Sequence, residues 1–223
     1  MNNKFYTKVY SNKISNSPSN QVRINFILKN IPDNNLEILD IGCWDGTFTQ
    51  KFKKKTNKAF GIDILKGTTK EAKKNQVIVK EGDFLEKDYF NNIKFDIIVA
   101  GEIIEHVFDT DLFLEKIYKK LKKNGKLIIT TPNSASLPRR ILLLFGKNPL
   151  LEYSSKKKHG AVGHIRYFTF DSLHTLLEEN KFNIIVSSSD ILNFNNKGTF
   201  YSIFLAKLYK RFGKSIMIVA RKT

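Results

Sequence analysis

Asp40 stands at the end of an apolar run and is followed by two spaced glycines, Gly42 and Gly46. The run 36–41 predicts a strand buried on both faces, and the glycines predict a tight turn that opens a helix at 46–56. In α/β proteins this arrangement holds nucleotide-like ligands at the carboxyl end of the strand. Because a carboxylate repels a pyrophosphate, Asp40 favours a ligand that carries positive charge or several hydroxyl and amine donors.

A second acidic residue follows the next predicted strand, 58–63. This strand ends in Asp63, about twenty residues after the glycines, which is where such folds place a carboxylate that binds ribose hydroxyls. Asp63 could equally well cap the helix that follows. A third strand is predicted at 77–79, and Asp83 follows it in a Gly-Asp turn, a commonplace position for Asp.

Glu102, Glu105 and His106 follow a fourth predicted strand, 95–100. If a helix begins after this strand, spacings of three and four residues place the three side chains on one face. Two carboxylates and an imidazole form a metal-ligand set, and a site rich in oxygen ligands favours Mg²⁺ or Mn²⁺. The alternatives are a metal-free general base, supplied by His106 or His164, and a structural role.

The pattern Asp40-x-Gly42-x-x-x-Gly46 resembles motif I of the class I S-adenosylmethionine (SAM) dependent methyltransferases, whose usual form is D/E-x-G-x-G-x-G. Trp44 departs from this form. Four later segments also resemble those of the family: 58–63, 82–84, 95–107, and the helix end and strand at 122–133. Residues 163–169 resemble an H-x-R-x-F-T segment of small-molecule and glycan methyltransferases. The resemblance covers nearly the whole chain beyond residue 20.

The resemblance implies an α/β, Rossmann-like fold: a seven-stranded, mostly parallel sheet with helices on both faces and an antiparallel last strand. It implies SAM as the cofactor, with the methionine end at motif I, the ribose at Asp63 and the adenine at Asp83 and Phe84. The residues expected to bind SAM are Asp40, Gly42, Cys43, Gly46, Asp63, Ile64, Asp83, Phe84 and Gly101.

With His164 as a distant fourth member, the segment E-x-x-E-H at 102–106 resembles two metal-using branches of the family. These are the quinone-biosynthesis O-methyltransferases and the enzymes that methylate the 2′-hydroxyl at small-RNA 3′ ends. The resemblance makes Glu102, Glu105, His106 and His164 the candidate catalytic residues and the candidate ligands of Mg²⁺ or Mn²⁺.

The expected function is methylation of a hydroxyl on a sugar, a lipid-linked glycan or another small metabolite, with a quinone-like phenol second. The alternatives are an RNA 2′-O-methyltransferase, a non-catalytic SAM-binding module, for which Trp44 is the hint, and a dinucleotide oxidoreductase. The missing second glycine argues against the oxidoreductase.

Composition fits one domain, expected at 21–223 after a polar segment at 1–20. Cys43 is the single cysteine, and no 20-residue apolar run or secretory signal is apparent, so a cytoplasmic protein is expected. The net charge is +17, but 32 of the 38 cationic residues are lysines scattered along the chain. Scattered Lys attracts polyanions only diffusely, so nucleic acid is not the favoured partner.

Four more helices are expected, and one of them follows the segment 163–169 and turns Leu173, Leu176 and Leu177 inward. At 109–123, Asp109 is the expected N-cap, Gly125 follows the end, and Leu114, Ile117, Tyr118 and Leu121 form the buried stripe. A basic amphipathic helix is expected at 134–145, within an insertion at 134–165 that faces the substrate as a lid and could contact a membrane surface. A helix at 199–212 precedes a last strand at 215–220.

Overall fold

The computed structural model describes residues 17–53, 57–67, 72, 77–150, 163–194 and 200–223. Seven strands form one sheet in the order β3-β2-β1-β4-β5-β9-β6, and two short strands, β7 and β8, pair separately. The strands are β1 (Glu37–Ile41), β2 (Lys58–Asp63), β3 (Ile78–Glu81), β4 (Phe95–Gly101), β5 (Leu121–Pro132), β6 (Phe182–Ser189), β7 (Leu192–Asn193), β8 (Tyr201–Ser202) and β9 (Ser215–Lys222).

Strands β1 to β5 pair in parallel, and β9 runs antiparallel to both β5 and β6. The expected seven-stranded sheet with an antiparallel last strand is therefore confirmed. The chain passes from β3 back across β2 and β1 to β4, so the strand order reverses between β1 and β4. Open α/β sheets bind ligands at the carboxyl ends of the strands at such a reversal.

The α-helices with described bounds are α1 (Pro18–Lys29), α2 (Thr110–Lys120), α3 (Leu137–Leu144), α4 (Phe170–Glu179) and α5 (Ile203–Leu208). Single 3₁₀ turns occur at Thr49–Phe52, Ile104–His106 and Lys210–Phe212. Apolar side chains of the strands point alternately to two core layers. Leu114 and Leu173 pack in the layer that contains Leu39, and Ile27 and Phe52 pack in the layer that contains Ile38.

Helix α1 is absent from the sequence-based prediction and crosses the expected boundary between residues 20 and 21. It begins with a recognisable signal, because the Ser17 hydroxyl accepts a hydrogen bond from the Asn20 amide and Pro18 occupies the first turn. Ser19 is buried and donates a hydrogen bond to Asp190. The domain therefore includes residues that precede its expected start.

The first expected helix, 46–56, is wrong in the described part, where turns lead into the short 3₁₀ helix Thr49–Phe52 and residues 54–56 lie outside the description. β-Branched and aromatic residues at 47–49 are poor helix formers, and the Thr49 hydroxyl instead bonds to Asp40. The expected helix 109–123 ends at Lys120, because Leu121 already pairs with Phe95 in the sheet. Its Asp109 cap is confirmed. Leu114 and Ile117 of the expected stripe are buried and Phe113 joins them, whereas Tyr118 is half-buried and Leu121 belongs to β5.

The expected helix 134–145 is confirmed as α3, and residues 151–162 of the expected lid lie outside the described part of the chain. The expected helix 199–212 is shorter. Tyr201 and Ser202 pair with β7, so α5 begins only at Ile203, with the Ser202 hydroxyl accepting from the Leu205 amide. Tertiary pairing overrides helix propensity at this point.

Candidate active site

A pocket of about 230 Å³ opens at the carboxyl ends of β1 and β4, where the strand order reverses. We call it the edge pocket. Helix α1 forms one wall, the turn after β1 forms the second, and the ends of β4 and β5 form the third. Its lining consists of Asn20, Arg23, Ile24, Ile27, Asp40, Gly42, Cys43, Trp44, Asp45, Phe48, Val99, Gly101, Glu102 and Thr130.

The turn after β1 has the conformation that its glycines predict. Gly42 and Gly46 have φ angles of +80° and +72°. A Cβ atom on Gly42 would lie 2.2 Å from Cδ1 of Ile103, so packing against the loop after β4 also requires glycine here. Trp44 has a φ of +45°, which costs a side-chain-bearing residue of the order of 1 kcal/mol. Its amide donates to Asp63 Oδ2 at 2.8 Å, which holds the turn in place.

The carboxyl group of Asp40 lies at the base of the edge pocket. It is 5% exposed and accepts a hydrogen bond of 2.5 Å from the Thr49 hydroxyl. Burial raises the pKa of Asp40 to about 7, the bond from Thr49 lowers it in part, and the Asp63 charge adds to the rise. Near neutral pH this group is therefore present in both its protonated and its ionised form, and a neighbouring cation favours the ionised form.

The side chain of Glu102 faces helix α1 and not Glu105 and His106, which follow Glu102 in the chain. Arg23 forms an ion pair with its carboxylate, and the Thr130 hydroxyl donates to Glu102 Oε1 at 3.1 Å. Burial lowers the pKa of Arg23, but the charge and hydrogen bond of Glu102, together with the charges of Asp190 and Glu105, outweigh burial and the net shift is upward. Arg23 and Thr130 were not among the expected site residues, although the helix cap at Ser17 is a sequence signal that places Arg23 on a helix.

The predicted helical face of Glu102, Glu105 and His106 is wrong. Glu102 has a φ of +59°, and only a 3₁₀ turn, Ile104–His106, follows it. The left-handed backbone at Glu102 turns its side chain away from the other two. The predicted four-member set is reduced to three, because Glu105, His106 and His164 place one ligand atom each within 4.8 Å of one another. We call these three residues the Glu-His cluster.

Backbone hydrogen bonds join the two segments of the Glu-His cluster. The Glu105 carbonyl accepts from the amides of Ile165 and Arg166, at 2.9 and 3.0 Å. The two imidazole rings lie 4.8 Å apart between centroids. His106 Nδ1 is 3.1 Å from the Gly163 carbonyl. Because a carbonyl oxygen only accepts, Nδ1 carries the proton, and Nε2 of the neutral ring is left as an acceptor.

Glu105 is buried in an unusual way. The Thr131 hydroxyl donates to Oε2 at 2.9 Å, whereas Oε1 has no hydrogen-bond partner among the described residues and lies 3.9 Å from His164 Nε2. Burial raises the pKa of Glu105 well above the ordinary range, and the Glu102 charge raises it further. A buried carboxylate oxygen is costly unless it is protonated or meets a cation.

Five of the expected cofactor residues lie outside the edge pocket, as do Glu105, His106 and His164. The Asp63 carboxylate accepts from the Trp44 and Leu65 amides, each at 2.8 Å, and Ile64 beside it is exposed. Asp83 accepts from the Leu85 amide. The Phe84 ring packs edge to face on Phe113 in the core, and a Cβ on Gly46 would contact Ala72.

Cys43 lines the edge pocket, but its thiol is buried against Gly61. A Cβ on Gly61 would lie 2.6 Å from the Cys43 sulfur, so the glycine provides the space that the side chain occupies. Burial raises the pKa of the Cys43 thiol, and the charges of Asp40 and Asp63 raise it further. A thiol that resists ionisation is a poor nucleophile, and Cys43 is a packing residue here.

Comparison with known proteins identifies the family. A family model described as a methyltransferase domain matches residues 18–187. The ubiquinone biosynthesis O-methyltransferase of Pelagibacter ubique is 31% identical over 149 residues, which are 60% of this chain and 62% of the relative. The mitochondrial ubiquinone biosynthesis O-methyltransferase of Bos taurus is 26% identical over 181 residues, 72% of this chain and 48% of the relative. The chain thus spans about half to three fifths of the length of these relatives.

Solved structures share the fold. A SAM-dependent methyltransferase from Thermotoga maritima matches with a TM-score of 0.67 at 18% identity, over 99% of this chain and 94% of that chain. Magnesium protoporphyrin IX methyltransferase from Synechocystis, solved with bound S-adenosylhomocysteine (SAH), matches with a TM-score of 0.63 at 14% identity and the same coverage. With the matching family model, these comparisons place the chain in the class I SAM-dependent methyltransferase family.

Proposed function

We propose that this protein binds SAM in and beside the edge pocket and transfers its methyl group to a hydroxyl oxygen of a small molecule. The observation that carries the proposal is the pairing of a cation and an acid in one pocket at the strand-order reversal. Arg23 offers a cation suited to the carboxylate of the methionine end, and Asp40 offers a carboxylate suited to its ammonium group. A pyrophosphate would meet Asp40 and Glu102 instead.

The nucleoside end of SAM fits the neighbouring strand ends. Asp83, Asp63, Asp40 and Glu102 lie at or just after the carboxyl ends of β3, β2, β1 and β4, which are adjacent in the sheet in that order. Strands lie about 4.8 Å apart, so this row of acids extends on the order of 14 Å. We assign the ribose hydroxyls to Asp63 and the adenine to Asp83. Ile64 is exposed beside them and would contact an apolar ring face.

The names of the relatives support a small-molecule acceptor. The relatives are ubiquinone biosynthesis O-methyltransferases, which favours a quinone-like phenol over the sugar or lipid-linked glycan suggested by the segment 163–169. A phenol has an ordinary pKa of about 10, so it needs a base or a cation near its oxygen at neutral pH.

Methyl transfer needs little covalent chemistry from the protein. SAM carries an activated methyl group on a sulfonium, and the acceptor oxygen attacks that carbon as the carbon–sulfur bond breaks, leaving SAH. The acceptor proton passes to a base. We assign this role to Nε2 of His106, because the bond from Nδ1 to Gly163 leaves Nε2 as an acceptor. Positioning of the acceptor supplies the remainder of the rate.

The Glu-His cluster also fits a divalent metal ion. Glu105 Oε1 is buried without a hydrogen-bond partner among the described residues, and a cation would satisfy it. Glu105, His106 and His164 would hold the ion, which would lower the pKa of the acceptor hydroxyl. Without Glu102 the set has one carboxylate and two imidazoles, which favours Mn²⁺ over Mg²⁺.

Isothermal titration with SAM, with NADH as the comparator, tests the cofactor assignment. We expect micromolar SAM binding, no NADH binding, and a clear loss of affinity in Arg23→Met and Asp63→Ala. Unchanged SAM affinity in both variants would contradict the assignment of the pocket. NADH binding in place of SAM binding would instead support an oxidoreductase.

Transfer of labelled methyl groups tests the reaction, with phenols, sugars and a small RNA as acceptors. We expect transfer to a phenol and its loss in His106→Ala. Transfer to a 3′-terminal RNA hydroxyl alone would support the RNA alternative, and tight SAM binding without transfer to any acceptor would support a non-catalytic module. Full activity after EDTA treatment, together with an active His164→Ala variant, would contradict the metal assignment. The assignment of His106 as the base would then remain.

A further inference from the structure

A broad apolar surface lies beside the active-site edge. It is formed by α3 with residues 145–150, by the β7–β8 ribbon, and by α5 with residues 209–214. We call it the apolar-basic patch. Leu144, Phe145 and Phe204 are 80%, 72% and 74% exposed, and helix α3 contains no buried residue. Exposed apolar surface of this extent in one place marks an interaction site.

The parts of the patch touch one another. Helices α3 and α5 both contact β7. The Arg140 guanidinium lies 4.9 Å from the centroid of the Phe212 ring. Phe194 and Phe200 face each other across the ribbon at 5.0 Å. The exposed apolar residues therefore belong to one surface and not to several scattered positions.

The charge of the patch has one sign. The segments 134–150 and 200–214 together contain seven cationic residues and no acidic residue. Asp171, from outside these segments, pairs with Arg211. The cationic residues are Arg139, Arg140, Lys147, Lys207, Lys210, Arg211 and Lys214. Large apolar side chains surrounded by cations suit a ligand surface that is apolar inside and anionic outside.

The position of the patch relates it to the edge pocket. Residue 134 follows the carboxyl end of β5, where Thr130 lines the pocket. The 3₁₀ turn Lys210–Phe212 precedes β9, which is antiparallel and so begins at the same edge of the sheet. The Asn133 amide nitrogen donates to the carbonyls of Arg211 and Gly213 and joins the two halves of the patch at that edge.

We propose that the apolar-basic patch docks the protein on the surface of a membrane that contains anionic lipids. The apolar residues of α3 and α5 enter the interface, and the surrounding cations meet the headgroups. Each cation near an anionic membrane contributes roughly 1 kcal/mol, or about fivefold in binding. No helix in the described part of the chain has the length and apolarity to cross a membrane, so the contact is peripheral. This proposal concerns location and does not depend on the proposed reaction.

Sedimentation with vesicles tests the proposal, using neutral phosphatidylcholine vesicles and vesicles that also contain phosphatidylglycerol. We expect binding to the anionic vesicles that exceeds binding to the neutral ones by roughly twentyfold or more, as roughly two contributing cations would give. Leu144→Asp combined with Phe204→Asp should reduce it by at least tenfold. Lys147→Glu combined with Lys207→Glu should reduce it by at least twentyfold, as roughly two fivefold losses would give.

Matched controls come from the opposite edge of the sheet. Ile78 is 50% exposed at the start of β3, and Lys58 is exposed at the start of β2. Ile78→Asp and Lys58→Glu should leave vesicle binding unchanged. SAM titration and the thermal unfolding of each variant verify that it is folded.

Four results would overturn the proposal. The first is the absence of binding to anionic vesicles. The second is an equal loss of binding in the control variants, which would mean that charge anywhere on the protein suffices. The third is a dimer, measured by light scattering, that Leu144→Asp dissociates, because the patch would then bind a second copy. Preference for a polynucleotide over the vesicles in competition would assign the patch to nucleic acid.

Discussion

Asp40 should make cofactor affinity depend on pH in a range where most carboxylates are silent. Burial raises its pKa to about 7, and the proposed site needs the ionised form to meet the ammonium group of the ligand. Affinity is then constant above that pKa and falls tenfold for each unit below it, so it drops about tenfold at pH 6 and about a hundredfold at pH 5. The sign follows because protonation removes the charge that attracts the ligand.

Titration calorimetry with SAH between about pH 5 and about pH 8 measures this profile, because the slope below the pKa counts the protons that binding releases. Asp40→Asn is the matched control. It preserves the shape of the side chain and its ability to accept from Thr49, so its profile contains only the titration of the ligand and of other groups. A wild-type profile parallel to that of the variant would refute the role of Asp40.

The same group predicts the pH dependence of stability in the ligand-free protein. The pKa of Asp40 is higher in the folded state than in the unfolded chain, so the folded state retains a proton that the unfolded state has lost. The protonated Asp40 therefore contributes fully to the free energy of unfolding below about pH 4. This contribution, about 4 kcal/mol in all, is lost as the pH rises to about 7. Asp40→Asn should remove this loss in urea unfolding at the upper end of the range.

Three further predictions follow from the turn and from helix α1. Gly42→Ala should lower the free energy of unfolding by about 1–3 kcal/mol, because it combines a left-handed backbone with the contact to Ile103, and Ile103→Ala should restore part of the loss in denaturant titration. Cys43 should react with a thiol reagent only at the rate of unfolding, since its thiol is buried and its pKa is raised; fast labelling of the folded protein would contradict this. Ser17→Ala should cost about 1 kcal/mol as a lost helix cap and should weaken SAM binding through Arg23. The corresponding cap variant on α5, Ser202→Ala, should leave SAM binding unchanged.

The sequence predicted the sheet well because β1, β2 and β4 are apolar runs buried on both faces, and such a run can be recognised from the local sequence alone. Asp40 was expected beside a ligand turn, and it lines the edge pocket because the end of a parallel strand next to a glycine turn has a fixed position in the fold. The positions of Asp63 and Asp83 at neighbouring strand ends follow from the same rule.

The errors have one physical origin, which is that long-range contacts decide a local conformation. Glu102 takes a left-handed backbone and meets Arg23, a residue on a helix that the sequence analysis missed. No sequence pattern near Glu102 predicts the left-handed backbone or the ion pair, whereas the spacing of the residues alone predicts a helix. The same holds at Tyr201, where pairing with β7 replaces the expected helix. In both places a partner that is distant in the chain outweighs propensity.

The distribution of acids explains why the net charge is a poor guide to the ligand. The chain has 38 cationic and 21 acidic residues, yet Asp83, Asp63, Asp40, Glu102 and Glu105 all lie at or just after the carboxyl ends of β1 to β4. A cationic sulfonium ligand therefore meets a locally acidic edge on a basic protein, with Arg23 as the cation among the pocket-lining residues described. The apolar-basic patch beside it contains no acid, so each surface attracts a ligand of opposite charge. The local distribution of charges along the sheet edge, and not the net charge of the protein, determines what binds at each position.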